Sequence, residues 1–513
     1  MKVKRALISV FDKSGLESFA TGLTGMGVQI VSTGGTAKML KDSGIPVTLV
    51  EEVTGFPEML GGRVKTMHPR LMAGVLANRD VPEHMSTIAE HGIEPIDMVV
   101  CSLYPFEEVA ARRGVEDEVV IENIDIGGPS MIRAAAKNHS GVAVVTSNED
   151  YDGLLKEMRE SGGELAPATL RELAAKAFHR TAHYDCAIAS WFSETHGDFP
   201  EYMMRDYEKV LDLKYGENPH QRAAYYAEVG LRQHLLSKVE QLHGKLLGFN
   251  NLYDLHAARA ICDDFTLPCV VIIKHNNPCG CALAENLAAA YDKAFACDPV
   301  SAFGSVIAVN RTVDVALAER LRELFVEVLF APGYDADALA ILTQKPDIRI
   351  LRGDERRQTN PGELDYKRVT GGILVQDRDS EIEERDEMTV ATAHHPSEQE
   401  WGDLIFAFRV AKHVKSNAIV IARDLATVGV GAGQMSRVDS TVIAIEKAHG
   451  DLHGAVIGSD AFFPFPDAVD LAIDNGVTAF MQPGGSKGDE TAVEACDKRD
   501  AAMVFTGRRH FLH

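Results

Sequence analysis

The chain of 513 residues sets 52 Lys and Arg against 75 Asp and Glu, a formal net charge of −23, with 45% hydrophobic and 25% charged residues. This composition belongs to a globular chain of about two to four domains with sizeable cores, and it excludes a disordered chain or a disulfide-held mini-scaffold. The charge argues against a general nucleic-acid or acidic-membrane binder, so an anionic ligand has to be met by a local cluster of Lys and Arg.

Residues 1–50 alternate short apolar runs with helical stretches: RALISVF, SGLESFATGLTGMG, VQIVSTGG, TAKMLKDSG, PVTLVEEV. That is the strand–helix rhythm of an open, largely parallel α/β sheet. Ser14-Gly15-Leu16-Glu17 reads as a capping box and Gly27 as a helix C′ glycine. The rhythm runs on through IDMVVCSLYPF, a helix after Gly127-Gly128-Pro129, and GVAVVTS at 141–147. A polar helical stretch then leads to SETHGDFPEYM at 193–203, which interrupts the periodicity and places a domain boundary there, giving units 1–198 and 204–513. The second unit offers strands at CVVIIKH, SVIAVN, NAIVIAR, TVGVGA, GAVIGSD, VTAFMQ and AAMVFTG. Its roughly 310 residues exceed a usual single core and predict two subdomains. RDSEIEERDE at 378–387 reads as a solvated face or loop, and the chain shows no short-period repeat.

The eight cysteines, Cys101, Cys186, Cys262, Cys269, Cys279, Cys281, Cys297 and Cys496, form no C-x-x-C pair and read as reduced thiols. Cys279-Gly280-Cys281 could supply half a metal site, but no second pair at zinc-finger spacing accompanies it, and no metal is expected. The apolar run in MKVKRALISVF breaks at Asp12, too short for a signal peptide, and no stretch approaches the ~18 apolar residues of a membrane span. A cytoplasmic protein is expected.

Ser32-Thr33-Gly34-Gly35-Thr36 follows a strand and opens a helix, leaving free N–H groups and a positive dipole end at the carboxyl edge of the sheet, where anions bind well. It is neither a Walker loop nor G-x-G-x-x-G. Gly61-Gly62-Arg63-Val64-Lys65-Thr66-Met67-His68-Pro69-Arg70 packs three cations and a His into one loop, a candidate anion clamp. Arg133 and Lys137 lie i,i+4 on one helix face and repel by roughly 0.2–0.5 kcal/mol unless an anion sits between them. Asp125 and Tyr104 fall near the same sheet edge if the strands are parallel.

These strings, GGRVKTMHPR, SVFDKSG, STGGTA and IDIGGPSMIRAAAKNH, closely resemble the inosine monophosphate (IMP) cyclohydrolase domain of the bifunctional purine-biosynthesis enzymes. The resemblance implies a methylglyoxal-synthase-like fold. With it, Lys65, Lys137, Asp125 and Tyr104 become candidates for proton transfer and oxyanion support, and Ser32, Thr33, Gly34, Thr36, Arg63 and Thr66 for holding the nucleotide. Because such domains also serve as effector sensors or as methylglyoxal synthase, both stand as alternatives for the first unit.

In the second unit Lys274-His275-Asn276-Asn277-Pro278-Cys279-Gly280 follows the apolar run CVVII. On a regular strand Lys274 and His275 would face opposite sides, so both serve one site only if the strand ends there. An ammonium beside a near-neutral base suits transfer of an acyl-like carbon between two nitrogens. Lys214 to Gln221 (KYGENPHQ), Lys415-Ser416-Asn417, Gly429 to Arg437 (GVGAGQMSR), Asp460 to Phe465 and Arg509 to His513 could complete such a site. The glycines at 429, 431 and 433 suggest a nucleotide loop, but Gln434 follows and no acid-bearing βαβ register does.

Together these strings resemble the aminoimidazole carboxamide ribonucleotide (AICAR) formyltransferase domain of the same enzymes, over about 204–513. The resemblance implies an α/β unit of two cytidine-deaminase-like subdomains, a homodimer, and 10-formyltetrahydrofolate as cosubstrate with no metal required. It places the catalytic pair on Lys274 and His275 with Asn417 beside them, and substrate contacts on Lys214, Tyr215, Arg437, Asp460, Phe462, Arg509, Phe511 and His513. The family string R-Y-G-E-N-P-H-Q begins with Lys214 here, which brings charge without the two-pronged fork of Arg. AICAR, formyl-AICAR, IMP and folate are the implied partners, with no nucleic acid and no membrane.

Overall fold

The computed structural model describes residues 1–112, 114–193, 199–229, 236–353 and 363–513. The chain forms two compact units, one over Met1–Tyr207 with the strand end at Glu228, the other over Glu208–Ala227 and onward to His513. Part of the predicted boundary, 194–198, lies outside the described residues.

Five short apolar segments build the sheet of the first unit: β1 (Arg5–Ser9), β2 (Gln29–Ser32), β3 (Thr48–Leu49), β4 (Met98–Cys101) and β5 (Ala143–Val145). They lie in the order β3-β2-β1-β4-β5 and every pairing is parallel, as the apolar runs predict. Helices α1 (Leu16–Gly25), α2 (Gly34–Asp42), α3 (Gly127–Lys137) and α4 (Pro167–Ser193) are among those that cover it. A parallel sheet delivers the ends of its strands and the starts of the following helices to one edge, and the candidate residues of this unit follow β1, β2 and β4 there. Gly27 is the C′ residue of α1 as expected, with φ 82°. The predicted capping box does not form. Gly15, at φ 71°, takes the N-cap position, and the Ser14 hydroxyl donates instead to Asp12 Oδ1 at 2.7 Å.

In the second unit the same order of elements occurs twice. Helix α5 (Phe249–Asp263) leads into the hairpin β6 (Cys269–Lys274) and β7 (Asn277–Leu283), then α6 (Leu287–Cys297), β8 (Ser305–Val309), β9 (Val326–Ala331) and β10 (Arg349–Arg352). Helix α7 (Glu398–Ala411) leads into β11 (Ile419–Arg423) and β12 (Ala426–Gly431), then α8 (Arg437–Lys447), β13 (Val456–Ser459), β14 (Ala479–Gln482) and β15 (Ala502–Phe505). The halves meet antiparallel where β7 pairs with β12 at Ala282 and Ala426. The two expected subdomains therefore share one mixed sheet of twelve strands, closed at its ends by Thr389–Val390 and Glu240–His243.

All seven strands expected in this unit are present. Strand β7 contains Pro278 and Gly280, and a bulge between those two residues accommodates both. Through that irregularity Cys281 packs in the core on one face of the sheet and Cys279 against the core on the other, which separates the two thiols of the C-G-C string. The acidic stretch 378–387 is not wholly solvated, since Glu383 is buried.

Candidate active sites

At the carboxyl edge of the first sheet, β2 ends at Ser32 and α2 begins at Gly34, with Thr33 extended between them. The hydroxyls of Ser32 and Thr36 face inward. Ser32 Oγ donates to the carbonyl of Ile8 at 2.7 Å, and Thr36 Oγ1 donates to Val10 O at 3.0 Å and accepts Val10 N–H. What this turn offers an anion is main chain: the first N–H groups of a helix find no partner inside it. Gly34 has φ 54°, and a Cβ there would stand 2.9 Å from Lys65 Nζ, so the ammonium lies directly over the helix N-terminus. A positive group over a positive dipole end is a placement that an anion between them would stabilise. Glu58, 2.9 Å from Lys65 Nζ, balances the charge.

The next residue of the loop, Thr66, is buried with its hydroxyl 2.8 Å from where a Cβ on Gly127 would be. One short loop thus sets Lys65 against the start of α2 and Thr66 against the start of α3. Asp125 caps α3: its Oδ1 accepts Gly128 N–H at 2.8 Å, and its own N–H donates to the Tyr184 hydroxyl at 2.8 Å. Burial pushes the Asp125 carboxyl above the ordinary aspartate range, against the pull of main-chain N–H groups from Gly128, Tyr104 and Gly127. The Tyr104 ring is half exposed and packs edge-on to Phe11 at 5.9 Å.

Two residues of the expected clamp, Arg63 and His68, have other partners, and Lys137 stands at the far end of α3. Arg63 pairs with Glu122 at the surface. His68 caps the following helix, accepting Arg70 N–H at 3.2 Å. Lys137 ends α3, and eleven helical residues carry it about 15 Å along the axis from Asp125, so one chain does not bring the two together.

In the second unit Lys274 is the last residue of β6, and His275 and Asn276 form a two-residue turn to β7, with φ 51° and 62°. The strand does end at Lys274, which is the condition for Lys274 and His275 to serve one site. Lys274 Nζ donates to the carbonyls of Phe303 and Gly304 at 2.9 and 2.7 Å, leaving one of its three protons free, while the His275 imidazole is exposed. Asn277 Oδ1 accepts Lys415 N–H at 3.0 Å, which ties this turn to the Lys415-Ser416-Asn417 segment of the other half.

Asn417 and Arg437 do not face open space. Asn417 donates to Gln434 O at 2.9 Å and accepts from Arg437 Nη2 at 2.9 Å. Arg437 is buried, donating through Nη1 to Asp460 at 2.6 Å and to Ser459 Oγ at 2.7 Å. Asp460, fully buried, also accepts from Ser416 Oγ at 2.6 Å. Arg437 and Asp460, both expected as substrate contacts, are engaged with each other. They form an internal ion pair between the first residue of α8 and the residue just beyond β13. Phe462 is half-buried, while Arg509 lies over the ring of Phe511 at 4.4 Å, with Phe511 and His513 exposed. Lys214 is exposed, its ammonium 5.4 Å from the Tyr215 ring, and its main chain meets Leu247 just before α5.

Comparison with known proteins decides the family. The chain is 48% identical to the bifunctional purine biosynthesis protein PurH of Ruminiclostridium cellulolyticum and 50% identical to that of Magnetococcus marinus, in both cases over the full length of both chains. The family model described as AICARFT/IMPCHase bienzyme matches residues 135–447, and the MGS-like domain matches 15–130. The chain belongs to the AICARFT/IMPCHase bienzyme family. Its relatives carry both units in one polypeptide, so a first unit acting only as a sensor or as methylglyoxal synthase is not favoured.

Several residues of this bienzyme chain escaped the sequence reading. Asp254 on α5 accepts the main-chain N–H of Asn276 at 2.8 Å, and no local string marks it. His510 is buried between Asp379 and Glu383, at 2.6 Å from each, and holds the tail Arg509–His513 against the acidic stretch. Lys13 lies just beyond β1 at the carboxyl edge of the first sheet, in the SVFDKSG string. Among the described residues no helix is long and apolar enough to cross a membrane.

Proposed function

We propose that the chain catalyses both reactions for which its family is named, one in each unit. In the second unit the 5-amino nitrogen of AICAR attacks the formyl carbon of 10-formyltetrahydrofolate. As the new C–N bond forms and the bond to folate N10 breaks, His275 takes the amine proton and the free N–H of Lys274 supports the oxyanion or protonates N10. An exposed imidazole beside an ammonium already oriented by two carbonyls supports these roles. Asn417, locked between Gln434 and Arg437, shapes the wall of the site. Lys214, Tyr215, Arg509, Phe511 and His513 supply the exposed charge and rings for substrate.

In the first unit the carboxamide nitrogen of formyl-AICAR attacks its own formyl carbon, and loss of water closes the ring to IMP. The reaction is intramolecular, so positioning supplies much of the acceleration. The phosphate sits on the N–H groups of Thr33, Gly34 and Gly35 under Lys65. Asp125 exchanges the nitrogen proton, and Tyr104 supports the oxygen. The chain acts in the cytoplasm as a homodimer, which sedimentation of the purified protein tests.

The observation that carries this reading is the loop that places Lys65 and Thr66 against two helix N-termini at one sheet edge, next to the half-buried Asp125 carboxyl, in a chain that matches bifunctional relatives from end to end. Separation of function tests it. The full-length His275→Ala protein should lose formyl transfer by about 10²–10⁴-fold while still cyclising added formyl-AICAR, and Asp125→Asn should do the reverse. A near-wild-type rate in either would reject that residue's role.

A further inference from the structure

We propose that Asp254 is the positioning residue of the formyl-transfer site, its carboxylate fixing the strained turn that presents His275. This rests on the reading of His275 as the base. His275 and Asn276 both occupy the left-handed region, at φ 51° and 62°. A two-residue hairpin loop with this twist normally takes Asn-Gly or Asp-Gly, and a histidine at its first position is disfavoured there. Such a turn persists only if its surroundings hold it. Asp254, reaching from α5, accepts Asn276 N–H at 2.8 Å, and the main-chain N–H of His275 adds a weaker pull on the same carboxylate. A carboxylate carries two acceptor oxygens on one planar group, enough to serve the main chain of both turn residues.

The molecule contains its own control. In the second half, α7 carries Asp403 at the same distance in sequence from the turn Asp424-Leu425 as Asp254 stands from His275-Asn276. That turn is again left-handed, with φ 55° and 56°. Asp403 accepts Asp424 N–H at 3.0 Å and Leu425 N–H at 2.6 Å. Helix, acid and two-residue turn are thus repeated as a unit, but only the first copy bears an imidazole and an ammonium. In both copies burial pushes the carboxyl upward, so the acid is kept although its surroundings disfavour the charge. What the second copy does for the fold alone, the first does for the fold and for the aim of His275.

The test uses the full-length protein, with cyclisation of formyl-AICAR in the first unit as the check that the chain is intact. Asp254→Ala should lower kcat for formyl transfer about 10–100-fold with KM for AICAR within about twofold, since a misplacement on the order of 1 Å costs that much. Asp254→Asn, which keeps one acceptor, should recover most of the rate. Asp403→Ala should lower the melting temperature as Asp254→Ala does, with formyl transfer near wild type at temperatures where the protein is folded. In the His275→Ala background Asp254→Ala should cost nothing further, because a group that acts through the imidazole has nothing left to act on.

Independent, multiplying losses in the double variant would overturn the proposal, and so would a loss in Asp254→Ala no larger than in Asp403→Ala. Should Asp254→Ala fail to fold, Asp254→Glu, which moves the carboxylate without removing it, is compared with His275→Ala in the same way. A near-wild-type His275→Ala enzyme would instead remove the base assignment, and the proposal with it; a crippled His275→Ala enzyme with additive Asp254→Ala would remove the proposal alone.

Discussion

Asp125 carries opposing demands in one side chain. Its oxygen closes the first turn of α3, while burial raises its pKa. A carboxyl whose folded value lies above its unfolded value favours the folded state at low pH and costs stability once the pH is high enough to ionise it. Asp125→Asn keeps the acceptor for Gly128 and removes that cost, so the variant should melt no lower than wild type at pH 7–8, by calorimetry, while losing cyclisation. Arg437 and Asp460 form a buried ion pair. Replacing Arg437 by Met leaves a buried aspartate without its partner and should destabilise the fold by about 3–5 kcal/mol in denaturant titration. The strings that hold these residues stand out in the sequence, but which side of the sheet edge each faces does not. Burial of Asp460 arises from strands far apart in the chain, and local pattern carries no information about that.

At the scale of elements, the glycines at 429 and 431 show how a pattern can be seen and its meaning missed. They suggest a phosphate loop, yet β12 runs so close under α8 that a Cβ on Gly429 would enter the carbonyl of Ala444, and one on Gly431 that of Ser440. Gly280 on β7 stands in the same relation to Ala294 of α6. Bare backbone at these points is a condition of helix-on-sheet contact in both halves. Gly431→Ala and Gly280→Ala should each lower the yield of folded protein sharply, whereas Gly433→Ala, at φ 67° with only Lys415 Cβ near, at an ordinary 3.9 Å, should cost only about 1 kcal/mol of backbone strain, read by thermal melting. The strands themselves are readable because each is an apolar run bounded by turn residues. The two hairpin turns are not, because His-Asn and Asp-Leu lack the glycine that normally announces them.

Across the whole molecule, a net charge of −23 makes every fixed cation a local event, and His510 is the most enclosed of these. Burial alone would lower its pKa, but Asp379 and Glu383 more than offset that and raise it to about 9, from an ordinary 6.5. Its contribution to stability is therefore complete below pH 6.5 and is lost as the pH rises through about 9. Both carboxyls are held below their ordinary values by His510 against burial, with Lys412 adding to the pull, so their share is lost on acidification instead. Between pH 6.5 and 9 the melting temperature of the wild type should fall more than that of His510→Gln, which has no such proton to lose. The acidic stretch 378–387 hides this role in sequence, since charge runs are usually solvated and nothing in the run singles out Glu383.

The two-residue loop under His275 also bears on how the enzyme can be inhibited. A base mounted on so short a connector cannot travel to meet a ligand, so compounds have to arrive already shaped to it. Stiff molecules that match the one geometry on offer should gain residence time over floppy ones with the same functional groups, because the target surrenders little freedom of its own on binding.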